Sequence, residues 1–145
     1  MNVEKIDRKI SVIFATDVVD YSLHMEKDES GTVTSLRRYE KILKEAFKKH
    51  GGRLLNTGGD SFLAEFSSAV KAVECAVDFQ NIVKEKNIKP ALSFRIGINA
   101  GDVILQKKNL LGDGVNVAAR LEQLSQPNGI TISKSIFDYI EGKLD

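Results

Sequence analysis

Arg53-Leu54-Leu55-Asn56-Thr57-Gly58-Gly59-Asp60-Ser61-Phe62-Leu63-Ala64-Glu65-Phe66 holds two short apolar runs joined by a Gly-Gly-Asp turn. Strand-length runs hinged on glycine read as a β-hairpin, with strands at 53–57 and 61–66. On its N-terminal side, Val33, Leu36, Ile42, Leu43, Ala46 and Phe47 form a helical stripe from about Ser30 to His50, stopped by Gly51-Gly52. Before that helix come a strand at 9–17, rich in Ile, Val and Phe, and a polar stretch from Tyr21 to Glu29. On the C-terminal side, Ser67 or Ser68 is placed to N-cap a second helix reaching about Asn87. Its expected buried side is Val70, Val73, Ala76, Val77, Ile82 and Val83. Pro90 precedes a strand at 92–98, and Asn99-Ala100-Gly101-Asp102 reads as a turn into another at 103–106. A helix carrying Asn116 and Arg120 ends before Pro127-Asn128-Gly129, followed by a short strand at 130–132 and a last helix from Ser133. Strand-helix-hairpin-helix-strand predicts an α+β fold with a ferredoxin-like βαββαβ core, extended by a C-terminal strand and helix.

Composition narrows the function classes. The 145 residues suit one domain with a real core, with 42% apolar and 28% charged side chains. A net charge of +1 gives no global field for nucleic acid or an anionic membrane. The basic pairs Lys48-Lys49 and Lys107-Lys108 are too short to change that. No apolar run nears the roughly 20 residues that span a bilayer. The opening Met1-Asn2-Val3-Glu4-Lys5 lacks a signal-peptide pattern, so a cytoplasmic protein is the expectation. The single Cys75, inside an apolar helical pattern, is expected to be inert packing.

The chemistry sits at strand ends and on one helix. Asp17 closes the run Ile10-Ser11-Val12-Ile13-Phe14-Ala15-Thr16, and Asp60 sits in the hairpin turn. Adjacent strands would bring both carboxylates to one end of a sheet, where paired oxygens suit hard divalent cations. Each also has an ordinary reading, Asp17 as a cap and Asp60 as a turn residue. Asn116 and Arg120, four apart, share one helix face and offer an amide and a guanidinium to phosphate or ribose oxygens. Both could instead be plain exposed residues, although an Asn buried between Val115 and Val117 would need a partner.

Three segments in order resemble the class III adenylate/guanylate cyclase catalytic domain: Phe14-Ala15-Thr16-Asp17-Val18-Val19-Asp20-Tyr21-Ser22, Gly58-Gly59-Asp60-Ser61-Phe62-Leu63-Ala64-Glu65-Phe66, and Gly112-Asp113-Gly114-Val115-Asn116-Val117-Ala118-Ala119-Arg120-Leu121. The first has one extra residue before the aspartate. The resemblance implies that Asp17, Asp60 and the Val18 carbonyl hold two Mg²⁺ or Mn²⁺ ions, roughly 4 Å apart. Backbone N–H groups from Val19 through Asp20 and Tyr21 to Ser22 would cradle the triphosphate. Asn116 would orient the ribose and Arg120 stabilise charge on the α-phosphate. It further implies a head-to-tail homodimer with metal and transition-state residues on opposite subunits, and conversion of ATP or GTP to the 3′,5′-cyclic nucleotide and pyrophosphate. The family domain runs on past Asp145 with a strand pair bearing a phosphate-contacting Lys. The expectation is therefore a C-terminally truncated domain of a longer protein with fused regulatory domains.

Departures from the family pattern bear on substrate and activity. Asn56 and Asn109 stand where base-selecting Lys and Asp are usual in adenylate cyclases. An amide donates and accepts, which suits adenine and adapts to guanine, so ATP is the leading expectation. Asp20 replaces a usual Gly; its carboxylate either crowds the phosphate cradle or points outward and caps the following helix. A non-catalytic cyclase-like dimerisation or nucleotide-sensing module is the competing reading. The Gly-Gly-Asp-Ser-Phe hairpin also resembles diguanylate cyclases, but Ser61 replaces their metal-binding Glu.

Overall fold

A computed structural model describes residues 7–106 and 109–144, without the side chains of Asn56 and Thr57. Met1 to Lys5, the Lys107-Lys108 pair and the Asn56 side chain therefore lie outside the described residues. In chain order the elements are β1 (Asp7–Val18), α1 (Tyr21–Lys27), α2 (Glu29–His50), β2 (Arg53–Gly58), β3 (Ser61–Phe66), α3 (Ala69–Glu85), β4 (Phe94–Gln106), β5 (Asn109–Leu111), α4 (Asp113–Leu124), β6 (Ile130–Ile132) and α5 (Lys134–Ile140). The sheet order is β2-β3-β1-β4-β5, with β6 parallel to β4 over Ile96–Ile98. Its first four strands have the expected ferredoxin-like order, and β6 with α5 is the expected C-terminal extension.

Two expectations are corrected. The stretch from Tyr21 to Glu29 is largely helix, because Asp28 breaks the chain there and caps α2 by accepting from Gly31 N at 3.0 Å. Residues 99–102 do not turn. They pair with Ser11, Ile10 and their neighbours of β1, and β4 runs unbroken for 13 residues. Gly101 sits mid-strand because a Cβ there would press on the Asn99 amide at 3.1 Å. The reversal comes later, between β4 and β5, where Gln106 pairs with Asn109.

Strand alternation sorts side chains onto two faces. Phe14, Val18, Phe62, Phe66, Phe94, Ile96 and Ile98 point to the face covered by α2, α3 and α5, and build the main core. There Phe14 meets Phe47 edge-on at 5.1 Å, and Phe79 meets Phe94 at 5.2 Å. On α3 the buried stripe is Ala69, Ala72, Cys75, Ala76, Phe79 and Val83. Val77, expected inside, is 47% exposed, because the small Ala72 and Ala76 let α3 lie close to its neighbours on the other side. Cys75 is fully buried and its thiol is pushed up to about 12 by burial. A thiol reagent such as DTNB should leave native protein unlabelled and titrate one thiol after urea unfolding; labelling of the native state would contradict this packing.

The second face carries a smaller cluster, Ile13, Ala15, Val103, Leu110 and Ala118, against which Leu55, Leu63, Leu105 and Val115 pack. The helix α4 lies on this face over the β1–β4 seam. At the Asp7 end of β1, Glu65 accepts from Ser11 Oγ at 2.6 Å and pairs with Lys9 Nζ at 2.7 Å and Arg53 Nη2 at 2.6 Å. Burial raises the Glu65 pKa, but these three donors outweigh it and the net shift is downward from 4.5. A depressed carboxylate contributes stability above its unfolded value, and that contribution is lost as pH falls through the folded value. Glu65→Gln should therefore cost about 1.5–3 kcal/mol at pH 7. Urea titrations should show the gap closing as pH falls below 4.5; a gap independent of pH would contradict the charge assignment.

Candidate active site

Asp17 is the last inward residue of β1 on the second face and is 9% exposed. The antiparallel register puts Arg95 of β4 directly opposite. Arg95 grips the carboxylate with two bonds, Nε to Oδ1 at 3.1 Å and Nη2 to Oδ2 at 2.9 Å. Gln123 Nε2 adds a third donor to Oδ2 at 3.3 Å. Asp17, already paired and buried, is not a helix cap.

Asp60 reaches the same place from the hairpin. Gly59, at φ +63°, turns the chain, and Asp60 Oδ2 accepts from the backbone N of Val18 at 3.3 Å. That bond staples the β2–β3 turn to the end of β1 and sets the two carboxylates side by side. Burial, with Asp17 adding like charge, raises the Asp60 pKa against the opposing Val18 N–H. Two neighbouring carboxylates are hard oxygen donors of the kind Mg²⁺ and Mn²⁺ take. Among the described residues no group of three His, Cys, Asp or Glu is placed to hold an ion unaided. The pair thus fits an ion whose remaining ligands are water and substrate phosphate, the usual mode for Mg²⁺.

The expected cradle is altered at its first residue. Val19 N donates to Ser93 O at 2.8 Å, so that amide is taken, because chain pairing continues one step past β1. Tyr21 and Ser22 open α1, where first-turn N–H groups have no intrahelical partner. Asp20 precedes them in the left-handed region, φ 54° and ψ 40°, which explains why Gly is usual there. Its exposed side chain makes no capping bond, which removes the capping reading. Its charge instead reaches Arg95, whose pKa is raised first by the Asp17 hydrogen bond and further by Glu122 and Asp20.

On α4, Gly114, Ala118 and Glu122 face the sheet, while Asn116 and Arg120 are exposed. The concern about a buried Asn116 therefore disappears. Among the described residues no hydrogen bond or ion pair engages either side chain. The helix starts over Gly101 and Asp102 and ends over Gly97 and Arg95. Within one chain, no described hydrogen bond or ion pair joins Asn116 or Arg120 to Asp17 or Asp60. Asn109 is exposed at the start of β5. Asn56 follows Leu55 and Asn109 precedes Leu110, two residues of the same small cluster, so the two strands meet on the second face.

Residues 2–144 match the family described as the adenylate and guanylate cyclase catalytic domain. The chain belongs to that cyclase family. It is 42% identical over 147 aligned residues to a Rhizobium meliloti (strain 1021) protein provisionally named adenylate cyclase 3, covering 98% of this chain and 25% of that relative. The chain therefore spans about a quarter of that relative's length. A solved adenylate/guanylate cyclase/hydrolase from Silicibacter pomeroyi superposes with TM-score 0.88 at 32% identity, covering 97% of this chain and 85% of its own. The guanylate cyclase domain from Catenaria anguillulae, solved with GTP, superposes with TM-score 0.85 at 26% identity, covering 96% and 86%.

Three residues of this cyclase domain escaped the sequence reading: Arg95, Glu122 and Gln123. The signal was available for the first. In Phe94-Arg95-Ile96-Gly97-Ile98-Asn99 the apolar residues alternate with the others, which put Arg95 inside on the α4 face. Glu122 lies four residues after buried Ala118, a carboxyl in the inward stripe and 6% exposed. Burial pushes it up to about 8, with Asp17 alongside acting in the same direction.

Proposed function

We propose that this cyclase domain converts ATP, in preference to GTP, to the 3′,5′-cyclic nucleotide and pyrophosphate in a head-to-tail pair of chains. The observation that carries the reading is the division of labour on one surface. Asp17 and Asp60 are joined through Val18 at one end of the sheet, while Asn116 and Arg120 stand exposed on α4 without partners among the described residues. A second copy would supply the missing half to each site. Asp17, Asp60 and the Val18 carbonyl would hold two Mg²⁺ or Mn²⁺ ions, which supply activation of the ribose 3′-hydroxyl and neutralise the triphosphate.

This chain's residues do the rest. Arg95, whose guanidinium holds Asp17, would offer anionic substrate a planar donor array suited to phosphate with ions held by Asp17 and Asp60. The N–H groups of Tyr21 and Ser22 take further phosphate oxygens. The partner copy's α4 brings its amide to the ribose and its guanidinium to the α-phosphate, where charge develops as the 3′-oxygen bonds to phosphorus and pyrophosphate leaves. Asn56 and Asn109 are the base-reading candidates, one on each of two strands that meet on the second face. The R. meliloti relative's name supports adenine, and the C. anguillulae domain's GTP keeps guanine as the comparison substrate.

Cyclic-nucleotide production from Mn²⁺-ATP and Mn²⁺-GTP over a protein concentration series tests this. Product rising faster than linearly with protein, larger from ATP and absent in Asp17→Ala, is the expected result. Silence with both nucleotides from folded, dimeric protein would sink the enzyme reading in favour of a non-catalytic module. The Asp20 carboxylate beside the cradle is the observation that keeps that second reading alive.

A further inference from the structure

On the second face of β4, alternate positions read Gly97, Asn99, Gly101. The two glycines let α4 come down on bare backbone. A Cβ at Gly97 would clash with the Ala118 carbonyl, and one at Gly101 would stand 3.4 Å from the Gly114 Cα. Such contacts bring the helix close but give it no direction, so they do not stop it turning on its seat. Asn99 does. It is 5% exposed, opposite Ile13 in the β1 register, and its Nδ2 donates to the Gly114 O at 3.0 Å.

The orientation of that amide follows from its neighbours. A carbonyl accepts and cannot donate, so the NH₂ end must face Gly114. The Oδ1 end faces the Ser135 Oγ at 3.5 Å, a hydroxyl anchored to the Ala100 O at 2.8 Å. Among the described residues, the Asn99–Gly114 bond is the one hydrogen bond from a sheet side chain into the first half of α4. The helix has no side-chain cap at Gly112 to share that task. Asn116 stands two residues beyond Gly114, about 200° round the helix, so a Gly114 held to the sheet aims Asn116 straight outward. The leverage is large. A turn of about 10° moves a side-chain atom roughly 5–6 Å from the helix axis by ~1 Å.

We infer that Asn99 is a positioning residue of the cyclase reaction, whose amide fixes the rotation of the first turn of α4 and so the aim of Asn116 at nucleotide held by the partner copy. The inference rests on the shared-site reading proposed above. It sorts Asn99 by function rather than by place. The residue sits on the strand paired with β1, which carries Asp17, yet it belongs to the same half of the site as Asn116 and Arg120.

The test uses Asn99→Ala and Asn99→Leu, the second keeping the volume without the donor, with thermal melts to verify folding. Each should lower kcat between about tenfold and 10²-fold, the scale of a 1 Å misplacement. Mixing identifies the half. With Asp17→Ala protein either variant should recover activity, because the mixed pair holds one site with both halves intact. With Arg120→Ala protein it should recover none. A wild-type kcat, recovery with Arg120→Ala, or recovery with neither partner from folded protein would overturn the inference. Amide exchange read by NMR needs no turnover. Asn116 N donates to Gly112 O at 3.2 Å, and its exchange should rise roughly fivefold in Asn99→Leu, the scale of one net hydrogen bond, while Leu121–Leu124 stay at wild type. No change at Asn116, or an equal change along the whole helix, would overturn it independently. Failure of Asp17→Ala and Arg120→Ala to complement each other marks the other layer: the shared-site reading falls, and the catalytic role of Asn99 falls with it, whatever the exchange at Asn116.

Discussion

Asp17→Ala protein mixed with Arg120→Ala protein is expected to recover about a quarter of wild-type cyclase activity, because half the pairs would be mixed and each would hold one intact composite site. Alone, each variant should lose on the order of 10²–10³ in kcat, the scale seen when a transition-state donor is removed. The expectation comes from placement. Asp17 stands one residue from the end of β1, Arg120 is exposed on α4, and no described hydrogen bond or ion pair joins them. The assay is cyclic-nucleotide output against mixing ratio at fixed total protein. Recovery peaking at equal proportions supports shared sites. No recovery from two folded variants would place both residues' roles within one chain, or outside catalysis.

The second large effect is structural. Gly97→Ala places a methyl 2.3 Å from the Glu122 N and 2.4 Å from the Ala118 O, both backbone atoms that cannot swing aside. The helix must lift, and the loss should be at least about 3 kcal/mol, the upper end for overpacking a core. For a domain of this size that is a drop of roughly 10 °C in melting temperature. Lifting α4 also withdraws Glu122 and Gln123 from Asp17 and Arg95, so Mn²⁺ binding should suffer together with stability. Urea unfolding with a wild-type midpoint would mean that α4 is not seated on β4 as described.

Much of this architecture was readable from residue order. The hairpin around Gly58-Gly59-Asp60, the Gly51-Gly52 stop and the Ser68 cap are local signals, each set by a few residues, and the structure places them as expected. Most of the misreadings arise from long-range context. Asn99-Ala100-Gly101-Asp102 has turn composition, yet its backbone groups find partners on β1, and pairing overrides propensity. On α3, hydrophobicity favoured Val77, but closeness of approach favoured Ala72. Tyr39, outside the predicted stripe, is buried with its hydroxyl accepting from Leu92 N, 53 residues away, at 3.2 Å. At the site, motif spacing pointed to the residues that would meet ligands. The ones that hold those residues, Arg95, Glu122 and Gln123, are defined by register and helix seating, which no short motif encodes.

The unbroken pairing of β1 with β4 runs from Asp7↔Leu105 to Val18↔Phe94. Because side chains alternate faces, inserting or deleting one residue between Ser11 and Val18 would turn Asp17 toward the aromatic core or part it from Arg95. Inheritance should tolerate substitution along these strands far better than any change in their length. Length variation among descendants of this sequence should collect where no ladder keeps count, at Lys86–Leu92.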